Sequence, residues 1–94
     1  MEIRFYNDAD TDQPHIYNHG VSEQEAIEVL RRAGEDRPAE GRSRAALGQT
    51  VAGRYLKVIY VPDDDRAGLC VITAFDLRGN ALKSYKRRRR RYRS

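Results

Sequence analysis

The sequence predicts an α+β fold in which a small antiparallel sheet of about four strands packs with an N-terminal helix and a basic C-terminal helix. Three observations predict it. The chain has 94 residues, of which 39% are hydrophobic, enough for one domain with a modest core. Residues 19–36 carry an amphipathic helix pattern, and three β-rich runs joined by short connections follow it. We therefore expect residues 1–94 to form a single domain.

The first element is a short strand. In "EIRFYN" apolar and polar residues alternate, with Ile3 and Phe5 on one side. The acidic segment "DADTDQP" follows as a loop. Its aspartates at alternate positions, Asp8, Asp10 and Asp12, are typical of the start of a calcium loop, but the required glycine and closing glutamate are absent. We expect no metal site.

A helix has the clearest local signature, in "HGVSEQEAIEVLRRAGED". Ser22 and Glu25 have the S-x-x-E spacing of a capping box, in which each side chain accepts from the other residue's backbone N–H. An apolar stripe at helical spacing follows, and Gly34 is a suitable stop. The helix is predicted from about Glu23 to Ala33.

Three strands are predicted after it, in "AALGQT", "RYLKVIYV" and "LCVITAF". The stretch between the helix and the first of them, "EDRPAEGRS", is predicted to be a polar connection. The second and third runs are apolar on both faces and rich in β-branched residues, which is typical of central strands covered on both sides. Their short connections predict antiparallel neighbours.

A basic helix is predicted to close the chain, with Asn80 as its N-cap and "ALKSYKRRRRRYR" as its body. Like charges at i and i+4 repel, so we expect a firm helix over Ala81 to Lys86 and a frayed end over residues 89–94. We expect Leu82 and Tyr85 to pack on the sheet.

Charge is distributed unevenly along the chain. Residues 83–94 hold eight of the 18 basic groups and no acid, so the remainder carries ten basic and 14 acidic groups. This asymmetry predicts that a polyanion binds the basic end; alternatively, the end is only solvated or docks on the acidic body. The single cysteine, Cys70, fits a strand residue in a reducing cytoplasm, and no apolar run reaches membrane-spanning length.

Arginine, lysine and tyrosine around a small sheet can hold RNA and can also cleave it without a metal or other cofactor. Cleavage needs one group that takes the proton of the 2′-hydroxyl, cations that stabilise the phosphate, and another group that protonates the leaving 5′-oxygen. The predicted catalytic residues are His19, Arg54, Lys57, Arg78, Lys83 and Tyr85. The predicted RNA-binding residues are Tyr60, Lys86, Arg87, Arg88, Arg89, Arg90 and Arg91. A histidine before a helix can instead be a capping or packing residue, and strand tyrosines can instead form the rim of the core.

Several motifs resemble those of the BrnT toxins. "HIYNHGVSEQEA" is similar to their "N-x-x-K-H-G-V-S-x-x-E-A", and "LGQTVAGRYLKVIY" to their "I-G-x-T-x-x-G-R-x-L-x-V-V-Y". "VITAFDLRGNALKSYKRRRRR" is similar to their "I-I-S-A-R" strand followed by a basic helix with a tyrosine. The resemblance covers nearly the whole chain in the same order, and it places His19, Arg54 and Tyr85 at matching positions.

The resemblance implies a RelE-like fold and a cytoplasmic toxin of a type II toxin–antitoxin pair. It implies an endoribonuclease that blocks translation and a cognate antitoxin, through which the complex binds operator DNA. The free toxin is expected to be a monomer or a homodimer. Phe75, Ala81 and Leu82 stand where the family usually has charged residues, and Asn18 replaces a lysine. The alternative is therefore a non-catalytic nucleic-acid-binding module of the same fold; a third interpretation is that the basic helix only docks an acidic protein.

Overall fold

One sheet runs through the molecule, and helices pack on both of its faces. A computed structural model describes residues 1–93. Its elements are β1 (Glu2–Phe5), a 3₁₀ helix (His15–His19), α1 (Glu23–Arg31), β2 (Glu35–Pro38), β3 (Arg44–Gln49), β4 (Tyr55–Pro62), β5 (Gly68–Asp76) and α2 (Gly79–Arg93). The α+β class is confirmed.

The sheet is mixed, with the strand order β1-β5-β4-β3-β2. The pairs β3–β4 and β4–β5 are antiparallel, as the short connections predicted, and β2 also lies antiparallel to β3. In contrast, β1 lies parallel to β5, with Glu2 opposite Gly68 and Phe5 opposite Val71. The prediction of about four antiparallel strands was wrong in the number of strands and in the direction of β1. A parallel partner more than sixty residues away leaves no local signal in the sequence.

The strand β2 lies in the stretch that was predicted to be a polar connection. It pairs only with β3 and forms one edge of the sheet. Its sequence, Glu-Asp-Arg-Pro, lacks the alternation of apolar and polar residues that marks a core strand, and three of its four residues are exposed. Charged side chains and a proline are tolerated at an edge, where they also discourage pairing with another chain.

The first face of the sheet holds the larger core. Strand alternation turns Leu56, Val58 and Tyr60 of β4 to this face, where α1 and the 3₁₀ helix cover them. Of the predicted apolar stripe of Ala26, Ile27, Leu30 and Ala33, Ala26 is fully buried there, and Leu30 and Ala33 pack partly buried against the core. Val29, which was not in that stripe, is also fully buried. The helix ends at Arg31, two residues before the predicted end.

The second face carries α2. Ala45, Leu47, Leu77 and Tyr85 are buried there, and Leu82 packs against them. The predicted docking of the basic helix through Leu82 and Tyr85 is confirmed. The helix begins at Gly79, so Asn80 lies inside it instead of capping it. It continues through the arginine run to Arg93, and the fraying expected over residues 89–94 stays a prediction; residue 94 lies outside the described residues.

Candidate nucleic-acid interface

The N-terminus of α1 is held by the predicted capping box. The Ser22 Oγ accepts from the Glu25 backbone N–H at 3.1 Å, and the Glu25 Oε1 accepts from the Ser22 backbone N–H at 3.0 Å. This bond, followed by the nearby Arg54 guanidinium, holds the pKa of the Glu25 carboxyl below its ordinary value. Just before the box, Gly20 ends the 3₁₀ helix with a φ of 69°, a conformation that glycine adopts without strain.

Arg54 ties this turn to the end of β5. Its Nη1 donates to the Gly20 carbonyl oxygen at 2.8 Å and to the Glu25 Oε1 at 3.1 Å, and its Nε donates to the Asp76 Oδ1 at 2.7 Å. The two carboxylates, Asp76 first, raise the pKa of Arg54. Because its guanidinium is already bonded to three acceptors, Arg54 supports the surrounding structure and is not assigned to ligand binding.

Asp76, which is bonded to Arg54, also holds Arg78. The Asp76 Oδ2 accepts from the Arg78 Nη2 at 2.7 Å, while its other oxygen is bonded to Arg54. The two arginines, Arg54 first, hold the pKa of Asp76 below its ordinary value. Arg78 itself remains 80% exposed, so its guanidinium is anchored at one end and can still contact a ligand.

A surface that we call the Phe75 cleft consists of two adjoining depressions that share Phe75, Asp76 and Arg78. The first, about 280 Å³, is completed by His19. The His19 ring lies edge-on to the Phe75 ring, with a centroid distance of 6.1 Å. His19 is exposed at the end of the 3₁₀ helix, so its imidazole is available for proton transfer.

The second depression of the Phe75 cleft, about 300 Å³, extends onto the sheet and along α2. Lys57 lies directly opposite Phe75 across β4 and β5, and both line it. Arg37 and Arg88 add two more cations to its wall. Three of the predicted catalytic residues therefore line the Phe75 cleft: His19 lines the first depression, Lys57 lines the second, and Arg78 lines both.

A second cleft, the α1–α2 cleft, lies on the other side of the basic helix and has a volume of about 510 Å³. It is lined by Arg32, Gly34, Gln49, Tyr55, Tyr85, Lys86, Arg89 and Arg90. No acidic side chain of residues 1–91 is among them. The Lys86 Nζ lies 4.9 Å from the centre of the Tyr55 ring, within the range of a cation–π contact.

Tyr85 forms part of this second cleft and not of the Phe75 cleft. Its side chain is only 5% exposed and its ring lies edge-on to Tyr55 at 6.1 Å. Burial raises the pKa of its hydroxyl, which therefore stays neutral. The close approach of this hydroxyl requires a glycine at position 34, since a Cβ there would lie 2.1 Å from the Tyr85 oxygen. The predicted catalytic tyrosine is thus separated from His19.

Tyr60 was predicted to stack on RNA bases, and the structure contradicts this role. Its ring is buried in the first core with 6% exposure, and its hydroxyl donates to the Asp36 Oδ2. Strand alternation turns Tyr60 to the α1 face, whereas Lys57 lies on the α2 face. A base cannot reach the ring without opening the core.

The remaining predicted residues divide along α2. Arg88 Nη2 donates to the Glu35 Oε1 at 2.9 Å, and Arg89 Nη1 donates to the Gly34 carbonyl oxygen at 3.1 Å. The hydrogen bond from Arg88 is the main reason why the pKa of the Glu35 carboxyl lies below its ordinary value. Part of the arginine run therefore docks on the acidic body. The other predicted residues of the helix are exposed, and of these Lys86 and Arg90 line the α1–α2 cleft, while Lys83, Arg87 and Arg91 line neither cleft.

Sequence reasoning missed Arg32, Arg37 and Tyr55 as cleft residues. For Arg32 the sequence did offer a signal, namely a cation just after the first predicted helix. Where such a helix end lies near a second, basic helix, the cations of both can bind the same ligand. Arg37 lay in the undetected strand β2.

Within residues 1–93 no cluster of three or more metal-ligating side chains occurs, and no helix has the length and apolar character of a membrane span. Comparisons with protein-family models, curated proteins and solved structures gave no match.

Proposed function

We propose that this chain is a metal-independent endoribonuclease that cleaves RNA in the Phe75 cleft. The observation that carries the proposal is the convergence of His19, Lys57 and Arg78 around Phe75, beside a cationic helix. A proton-transfer group and two cations are the groups that transesterification of RNA uses. The BrnT resemblance supports the same reaction, and it matches His19 directly.

The proposed reaction begins with attack of the 2′-hydroxyl oxygen on the adjacent phosphorus. His19 takes the hydroxyl proton, and Arg78, held by Asp76, stabilises the charge on the phosphate oxygens. Lys57, on the other side of Phe75, donates a proton to the leaving 5′-oxygen. The products are a 2′,3′-cyclic phosphate and a free 5′-hydroxyl. Arg54 acts as a positioning residue, because it contacts Asp76 and not the substrate.

The biological part of the proposal, a toxin of a type II toxin–antitoxin pair in the cytoplasm, is supported by the resemblance. The exposed basic groups of α2 support it on electrostatic grounds, because an acidic antitoxin segment would be steered to them. An antitoxin that covers α2 would also cover both clefts. RNA and the antitoxin are thus the proposed partners, and operator DNA would be bound only through the antitoxin.

An RNA cleavage assay in the presence of EDTA tests the enzymatic proposal. We expect the wild type to produce fragments with 2′,3′-cyclic phosphate ends, and His19→Ala to reduce the rate at least a hundredfold. His15→Ala is the matched control: its ring lies 5.6 Å from that of His19, but Asp8 holds it away from the cleft lining. Equal losses in both variants, or fragments without cyclic ends, would contradict the assignment.

Expression in a bacterial host tests the toxin proposal separately. We expect induction of the wild type to arrest growth and degrade RNA, and induction of the folded His19→Ala variant to do neither. Normal growth with intact RNA, at confirmed levels of folded wild type, would instead favour the non-catalytic binding module. The placement of Tyr85 outside the Phe75 cleft and of Lys83 outside both clefts is the observation in favour of that second function.

A further inference from the structure

The α1–α2 cleft has features of a ligand site that the cleavage chemistry of the Phe75 cleft does not use. Cations from two separated segments of the chain meet there: Arg32 just after α1, and Lys86, Arg89 and Arg90 from α2. Its volume of about 510 Å³ lies in the range of small-ligand sites in proteins. No acidic side chain of residues 1–91 is among these lining residues; the nearby Glu35 carboxylate acts on Arg89 but is hydrogen-bonded to Arg88, so the lining keeps an excess of positive charge and favours an anion.

The polar groups of the cleft suit a phosphate. Arg32 and Arg90 are exposed and present guanidinium donors, which match phosphate oxygens geometrically. Arg89 is already anchored through the Gly34 carbonyl oxygen, which fixes its position in the wall. The Tyr85 hydroxyl beside Gly34 stays protonated at neutral pH, so it is a neutral donor at the floor.

An aromatic face lies beside these cations. The Tyr55 ring is half-buried and makes a T-shaped contact with the Tyr85 ring, and the Lys86 ammonium lies over the Tyr55 face. Cationic grooves with a stacking aromatic ring are typical of sites for single-stranded nucleic acid, because unpaired bases can leave their own stack. Bases of a duplex remain stacked inside the helix and cannot use such a ring.

We infer that the α1–α2 cleft binds one phosphate and an adjoining unpaired base of single-stranded RNA, away from the scissile bond in the Phe75 cleft. This inference rests on the proposed function for the identity of the ligand as RNA. It assigns phosphate binding to Arg32, Lys86 and Arg90 and base stacking to Tyr55, from whose face the Lys86 ammonium moves to the phosphate when the base binds. The two sides of α2 then have different roles: the Phe75 cleft on one side cleaves the RNA, and the α1–α2 cleft on the other side binds the RNA strand.

Binding of a 12-nucleotide 2′-O-methyl RNA, followed by fluorescence anisotropy, tests this inference, since that RNA lacks the attacking hydroxyl and cannot be cleaved. We expect Arg32→Ala/Arg90→Ala to weaken binding at least tenfold. The log–log salt slope should fall by about 0.7, since the cleft neutralises one phosphate and each phosphate contributes about 0.7 on a single strand. Tyr55→Leu should weaken binding without changing that slope. The control, Arg31→Ala/Arg42→Ala, removes the same net charge from exposed positions outside the cleft and should change affinity less than twofold.

Equal losses in the two double variants would overturn the inference, because net charge alone would then explain binding. Equally tight binding of a duplex of the same length would overturn the single-strand assignment. Thermal melts of each variant identify any loss that arises from unfolding. Cleavage of unmodified RNA is measured separately. If the wild type cleaves RNA and Arg32→Ala/Arg90→Ala changes neither binding nor cleavage, only this inference is contradicted. If the cleft binds RNA but the wild type does not cleave it, only the proposed ribonuclease activity is contradicted.

Discussion

The Arg54 Nε donates a 2.7 Å hydrogen bond to the Asp76 Oδ1, and this bond joins the turn before α1 to the end of β5. The same guanidinium bonds to the capping-box carboxylate of Glu25. The other oxygen of Asp76 holds Arg78. A helix start, a strand end and a cation of the Phe75 cleft therefore depend on one arginine.

Arg54→Ala should lower the free energy of unfolding by about 1–3 kcal/mol, because hydrogen bonds to charged, partly buried groups are lost. Arg54→Lys should recover little of it, since an ammonium cannot bridge the same acceptors. Urea denaturation measures the effect, with Arg31→Ala as the control for loss of an exposed arginine. Wild-type stability together with abolished cleavage would instead make Arg54 a direct catalytic group, as the sequence predicted.

The stability of the fold should fall in acid. The pKa values of Glu25, Glu35 and Asp76 are all held below their ordinary values by hydrogen bonds or by arginines. The contribution of these three carboxylates to the free energy of unfolding is fully present above the ordinary pKa of the side chains in the unfolded chain. It is lost as pH falls below about 4.5, because the unfolded chain then binds protons first.

Denaturation series from about pH 7 to about pH 3 measure this loss. A Glu35→Gln variant should begin less stable at neutral pH and lose less stability on acidification, because its amide does not titrate. A flat profile for the wild type would contradict the lowered pKa values.

Gly34→Ala should destabilise the protein by about 1–3 kcal/mol, because the new Cβ would overlap the Tyr85 hydroxyl and displace α2. Adding Tyr85→Phe should restore part of the loss, since the nearest ring carbon then lies 3.0 Å away. Gly48→Ala is the matched control, with its nearest contact at 3.4 Å. Thermal melts compare the variants, and equal effects of Gly34→Ala and Gly48→Ala would show that the contact with Tyr85 is unimportant.

Tyr60→Phe should cost about 1 kcal/mol of stability, because the bond to Asp36 is lost. RNA affinity should stay within a factor of two of the wild type, since the Tyr60 ring is buried. Urea denaturation and RNA anisotropy on the same samples check both parts. A large loss of affinity at unchanged stability would restore Tyr60 to the RNA interface.

Local patterns predicted the local parts of the fold. The capping box of Ser22 and Glu25 is a three-residue relationship, and it is present as expected. The docking of α2 through Leu82 and Tyr85 was also expected, and both residues belong to the second core. In contrast, β2 has the charge and proline of an edge strand, and β1 pairs with a strand far along the chain. Neither feature has a periodic pattern that a short window can detect.

The candidate site was predicted as one group of residues, and the structure separates it into two. Residue types identified His19, Lys57, Arg78 and Lys86 as candidates, but only the direction of α2 across the sheet decides which of them meet. Tyr60 and Lys57 lie three positions apart on one strand, and alternation places them on opposite faces. The partners of Arg54 became visible only once the end of β5 was placed beside the capping box.

Steady-state cleavage kinetics measure the separate roles of the two sides of α2. We expect His19→Ala to lower kcat with little change in KM, and Arg32→Ala/Arg90→Ala to raise KM with little change in kcat. Wild-type cleavage that is unaffected by His19→Ala, or no cleavage by folded wild type in EDTA, would contradict the proposed cleavage in the Phe75 cleft.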